Sequence, residues 1–64
     1  MSDPNTLAAN YRKRAQTLRS IAEMDSNRET RQTLIKIAQN YERMADDLEA
    51  IDQTNREFEQ RSQT

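Results

Sequence analysis

Chemistry in this chain could be assembled at only two clusters of charged residues. The first is Tyr11-Arg12-Lys13-Arg14, joined by Arg19. Guanidinium and ammonium groups neutralise phosphates, and a neighbouring tyrosine stacks on a base, so the cluster could contact RNA, DNA or an acidic lipid. A plainer reading is internal charge matching. Residues 42–59 hold seven acidic and two basic residues, and a chain folded back on itself sets Glu42 and Asp46 across from Arg12 to Arg14. Successive helical residues are rotated by about 100°, so Arg12, Lys13 and Arg14 do not all face one ligand.

The second cluster is Glu42, Asp46, Asp47, Glu49 and Asp52. Carboxylates in groups hold metals or move protons, but bundle-type dimetal centres combine inward carboxylates with Glu-x-x-His pairs. This chain has no His, and these carboxylates lie off its apolar positions. They read as a solvated helix face. Asp52 with Arg56, and Glu57 with Arg61, are i, i+4 pairs with the acid first, a spacing that contributes about 0.2–0.5 kcal/mol each.

The composition closes most other routes to catalysis. Cys and Gly are absent as well as His. A thiolate nucleophile, a histidine base and a glycine-rich phosphate loop are thereby excluded. Ser20, Ser26 and Ser62 have no base to activate them. No catalytic residue, metal ligand or cofactor site is expected, and the chain is not expected to be an enzyme.

These clusters must be positioned by helices. Val is absent, Pro occurs once, and Ala, Gln, Glu, Arg and Leu dominate, which favours helix over strand. The first helix is predicted over 4–24: Asp3 is an N-cap type and Pro4 suits the first helical position. Ala8, Tyr11, Ala15, Leu18 and Ala22 step by three and four, and Leu7 and Ile21 widen that stripe. Asp25-Ser26-Asn27 is a stop and restart. Ser26 with Glu29 fits a capping box, Asn27 is an equal candidate for the cap, and Asn27 or Asp25 could take a left-handed C-cap. One uninterrupted helix is the alternative. The second helix is predicted over 28–61, followed by fraying at Ser62-Gln63-Thr64. Its seam is a heptad: Leu34, Ile37, Tyr41, Met44, Leu48, Ile51, Asn55 and Phe58, with Ala38 and Ala45 at its flank.

The fold class expected is all-α, an antiparallel two-helix hairpin with a longer second helix, in one domain over 1–64. Folding back pairs Tyr11 with Tyr41, as an amphipathic core edge, and Leu7 and Ala8 with Met44 and Ala45. The first helix ends near Leu48, leaving Ile51 and Phe58 on an overhang of about 20 Å. An exposed apolar stripe marks an interface. Two hairpins covering each other's overhangs give a four-helix bundle, so a homodimer is the first partner expected. Leu48, Ile51, Asn55 and Phe58 are the expected contact surface. Asn55 either fixes register as a buried polar residue or is wet at the bundle's end.

The net charge is −1, which argues against a dedicated polyanion binder. The longest uncharged run, between Asp3 and Arg12, is far short of a membrane span. Met1-Ser2-Asp3-Pro4 lacks the basic run and apolar core of a secretory signal, so a cytoplasmic setting is expected.

The segment Arg31-x-x-Leu34-x-x-x-Ala38-x-x-Tyr41-Glu42-Arg43-Met44-Ala45 resembles that of a group of very short helical-hairpin proteins of unknown function, frequent in alphaproteobacteria. That group has an Arg- and Ala-rich first helix, a Thr-x-Asp-Pro connector, and Arg-x-x-Leu-x-x-x-Ala-x-x-Tyr-Glu-x-Leu-Ala in the second. The resemblance covers about residues 11 to 45. Ser26-Asn27-Arg28 replaces the Asp-Pro pair here, and Met44 stands for Leu. The resemblance implies a hairpin in a bacterial cytosol and carries over no activity and no functional residue.

The function expected is that of a helical interaction module, self-associating and binding a protein partner as a small regulator or adaptor. The alternative is a small nucleic-acid-binding regulator using Arg12, Lys13, Arg14 and Arg19. Attachment to a membrane surface through the first helix is weaker, because its apolar face is largely Ala and lacks Trp and Phe.

Overall fold

Asp3 starts the first helix by local chemistry. Its backbone is extended, its carboxylate accepts the Thr6 N–H at 2.7 Å, and Pro4 follows at the first helical position. That hydrogen bond from the Thr6 backbone holds the Asp3 carboxyl below its ordinary value. Helix α1 then runs Pro4–Met24 and α2 runs Arg28–Ser62. The structure, a computed structural model, describes residues 3–62, with side chains through Gln60. Ser62, expected to fray, is instead the last residue of α2. The expected fraying at Gln63 and Thr64 and the Glu57–Arg61 pair lie outside the described residues and side chains.

The turn between the helices uses no left-handed residue. Among the described residues none has positive φ, which corrects the expectation of a left-handed C-cap at Asp25 or Asn27. Asp25 is extended instead, at φ −88° and ψ 127°, and its N–H reaches back to the Ala22 carbonyl. Its carboxylate accepts the Asn27 N–H at 2.8 Å. Asn27 is the cap of α2: its side-chain oxygen accepts the Thr30 N–H at 3.1 Å, and its carbonyl accepts the Arg31 N–H at 3.0 Å. The choice between Ser26 and Asn27 falls to Asn27. Aspartate and asparagine side chains thus satisfy backbone donors that a helix start leaves unpaired.

The two helices pack against each other along a line of alanines. Among the described residues Ala8, Ala15 and Ala22 of α1 and Ala38 and Ala45 of α2 are the buried ones, and no larger side chain is fully buried. Each set repeats every seven residues, the period of a helix pair that stays in contact along its length. Methyl groups let the backbones approach closely. Each methyl contributes only about 0.8 kcal/mol of burial, so the seam is close-fitting but thin.

The seam expected from sequence is therefore rotated. Leu34, Tyr41 and Leu48 are half-buried beside the alanines, while Ile37 and Met44 are exposed. Ile37 and Met44 each precede a seam alanine by one residue and so point about 100° away from it. The Cα radius of gyration is 15.9 Å, against about 11 Å for a compact domain of this length. The Cα extents of 57 × 18 × 13 Å describe a layer one helix thick. No third element covers either side of it among the described residues.

Candidate interaction surface

The alanine seam divides the hairpin into two unlike flanks. One flank is bridged by ion pairs, with a small groove beside Arg19 lined by Ala22, Glu23, Arg31 and the exposed Ile35. Arg19 grips Glu42 as a fork, with Nη2 donating at 2.7 Å and Nε at 3.3 Å. The hydrogen bond from Arg19 holds the Glu42 carboxyl below its usual value, and the same bond raises Arg19. Seven residues earlier, Arg12 donates to Asp46 at 2.8 Å and also pairs with Glu49. Nearer the open end, Asn5 donates to Asp52 at 3.1 Å, and Arg56 pairs with Asp52 from one turn on. Asp52 continues the Ala38–Ala45 line, so the apolar seam ends in a polar junction.

The other flank is apolar and open. Tyr11 and Tyr41 stack across the helices with ring centroids 5.6 Å apart and planes 20° from parallel. On the turn side of that stack, a groove is lined by Leu18, Ile37 and Tyr41, with Lys13, Arg14 and Thr17 at its edge. Toward the open end, a second groove is lined by Leu7, Tyr11, Met44, Leu48 and Ile51, with Asp47 at its edge. Exposure rises along the heptad row on α2: Ile37 38%, Met44 43%, Ile51 52% and Phe58 72%. The row starts beside α1 and finishes beyond it.

The structure sorts the residues singled out in the sequence. Leu48 is half-buried under Leu7 and Tyr11, so the hairpin uses part of its surface. Ile51, Asn55 and Phe58 are exposed. Arg12 and Arg19 turn to the ion-paired flank, while Lys13 and Arg14 border the apolar groove, so the basic cluster is split between two sides. Ile21, Ile37 and Met44 belong to the open surface, although their apolar spacing alone assigns them to the hairpin's own seam. The signal that separates them from it is the seven-residue spacing of Ala8, Ala15 and Ala22, and of Ala38 and Ala45. It fixes which line faces the partner helix.

The five carboxylates do not converge on a site. Glu42, Asp46, Glu49 and Asp52 are engaged by Arg12, Arg19, Asn5 or Arg56. Asp47 stands on the opposite side. Among the described residues no three His, Cys, Asp or Glu side chains come together to hold a metal. No helix among them is long and apolar enough to cross a membrane. No protein-family model, curated protein or solved structure matches this chain.

Proposed function

We propose that this protein is a non-enzymatic helical interaction module, which self-associates and binds a protein partner as a small regulator or adaptor. One observation carries the reading. A hairpin whose buried core among the described residues is five alanines leaves Ile21, Ile37, Met44, Ile51 and Phe58 exposed along the flank opposite Arg12 and Arg19, while Ile35 is exposed on the ion-paired flank beside Arg19 and Arg31. An apolar surface of this extent, left in water by its own fold, marks a place where another surface sits. The mechanism is burial of a helix row against helices of a partner, with bordering charges selecting which partner fits.

The chemistry of the rest of the surface agrees with a binding role. The arginines best placed for phosphate, Arg12 and Arg19, are already engaged by α2 carboxylates. Phosphate would have to displace those contacts before binding.

Two variants test the reading. Met44→Asp and Phe58→Asp each place a charge in the apolar row, and each is expected to reduce the molar mass in solution to that of one chain with helix content retained. Gln16→Asp, on the outer polar surface, is the control and leaves the mass unchanged. Unchanged mass in both row variants contradicts the proposed role.

A further inference from the structure

We infer that the occupant of the apolar flank is a second copy of this chain, lying antiparallel to the first, with the twofold axis crossing α2 beside Met44. This rests on the self-association proposed above and specifies its partner, orientation and register.

The distribution of charge along the hairpin carries the orientation. Residues 12–43, the half nearest the turn, hold eight basic and four acidic residues. Residues 3–11 and 44–62, the open half, hold two basic and seven acidic. The halves therefore carry +4 and −5, although the whole chain is nearly neutral. A parallel pair would set acid against acid and base against base. An antiparallel pair sets each basic half on the partner's acidic half. Complementary potentials of this kind fix orientation and suppress the wrong one.

The border of the apolar flank repeats the pattern locally. Lys13 and Arg14 edge the groove at Tyr41, and Asp47 edges the groove at Met44. Asp47 lies three residues beyond Met44, and Tyr41 three residues before it. A twofold axis beside Met44 therefore brings Asp47 of one copy to the level of Tyr41 of the other, where Lys13 and Arg14 stand. The symmetry makes each such contact twice.

The overhang fits the same axis. Phe58 is fourteen residues beyond Met44, about 21 Å along α2. The twofold carries it to the level of Thr30 in the partner, at the turn end of the hairpin. Ile21 and Met24 are 45% and 80% exposed there. The projecting end of each copy thus covers the bare turn end of the other.

The exposed area is sufficient. The chain has 5410 Å² of accessible surface, against about 4,200 Å² for a folded monomer of its mass. The surplus of about 1,200 Å² exceeds the roughly 800 Å² that each partner of a stable complex commonly buries.

The chain has no cysteine, so Ser26→Cys gives one attachment point for a nitroxide in the turn, at a residue that does not cap α2. Electron–electron dipolar distances in the full chain, measured with molar mass on the same sample, test the proposal. Ser26 lies eighteen residues from Met44, about 27 Å along the helix, so the antiparallel dimer predicts a label separation of about 55 Å. A dimer with labels within about 25 Å is parallel and overturns the antiparallel assignment while leaving self-association standing. A mass of one chain, with no dipolar signal, overturns both. The register is tested by charge exchange. Asp47→Lys alone, and Lys13→Asp with Arg14→Asp, each raise the dimer dissociation constant about tenfold. Combining all three substitutions restores it to within about threefold. Absence of that rescue overturns the register.

Discussion

Arg12 and Arg19 on one side of the alanine seam, and Ile37 and Met44 on the other, flank the same buried line. One side is bridged by ion pairs and the other is not. The difference is one of reach. A guanidinium on a flexible stem crosses from α1 to a carboxylate on α2 while its head stays hydrated, so the polar flank completes itself within one chain. Ile37 and Met44 point about one residue step away from α1 and gain nothing by bending toward it. Their burial requires a further surface. The ion pairs thus set how the two helices align, and the apolar flank holds the larger share of unused burial energy. Exposed ion pairs in general contribute about 0.2–1 kcal/mol, whereas burying one Ile or Met contributes about 1.5–3 kcal/mol.

Disturbing the seam that both flanks share should erase the contrast between them. Ala15 is fully buried, and Ala15→Leu forces a larger side chain between backbones in close contact. The expected cost is about 1–3 kcal/mol. Thermal melting followed by circular dichroism should show the loss, while Gln16→Leu next to it should leave the midpoint nearly unchanged. Similar melting for the two would show that the helices do not meet along the alanine line.

The turn holds both flanks in place, and changes to its chemistry should rank second. Asn27→Ala removes the cap of α2 and is expected to cost about 1 kcal/mol. Ser26→Ala should cost little. The reverse order in the same melt would assign the cap to Ser26.

Weaker perturbations separate the flanks. Arg12→Gln and Arg19→Gln each remove only ion pairs on the polar side, and each should lower the melting midpoint by less than Asn27→Ala does. Adding sodium chloride should shrink that difference, since salt screens exposed pairs. Sulfate should strengthen association through the apolar flank. An ionic-strength series of wild type and Arg19→Gln reads both responses.

Acid gives the slightest and most specific contrast. Arg19 lowers the Glu42 carboxyl in the folded chain, and the Thr6 backbone lowers Asp3. A lowered folded value means that the stabilisation is fully present above the unfolded value, about 4.3 for Glu and 3.9 for Asp. It is lost as pH falls through the folded values. Helix stability should therefore decline below about pH 4, and Glu42→Gln should flatten part of that decline. An acid titration of the variant identical to wild type would show that the Arg19–Glu42 fork contributes nothing.

Local signals in the sequence were readable because they act over a few residues. Asp3 with Pro4, and the run Asp25-Ser26-Asn27, mark a start and a break by cap chemistry alone. Which residue caps α2 was not readable, since a serine hydroxyl and an asparagine amide oxygen both suit the position and backbone placement decides. The phase of the seam was harder. Leu34, Ile37, Tyr41 and Met44 carry the strongest apolar signal and a helical period, which places them on one side but does not fix its centre. Close approach of the backbones moves the centre to the small residues, Ala38 and Ala45. Arg12 and Arg19, seven apart, share a phase and pair with α2. Lys13 and Arg14 do not share it, so a contiguous basic run dispersed over the surface.

Whether the open apolar flank is an interface can be read from sedimentation of the wild-type chain across a concentration series. An interface between copies gives a limiting mass of about twice the 7.5 kDa chain and a dimer that dissociates on dilution. A chain that stays at 7.5 kDa and fully helical at every concentration would contradict it.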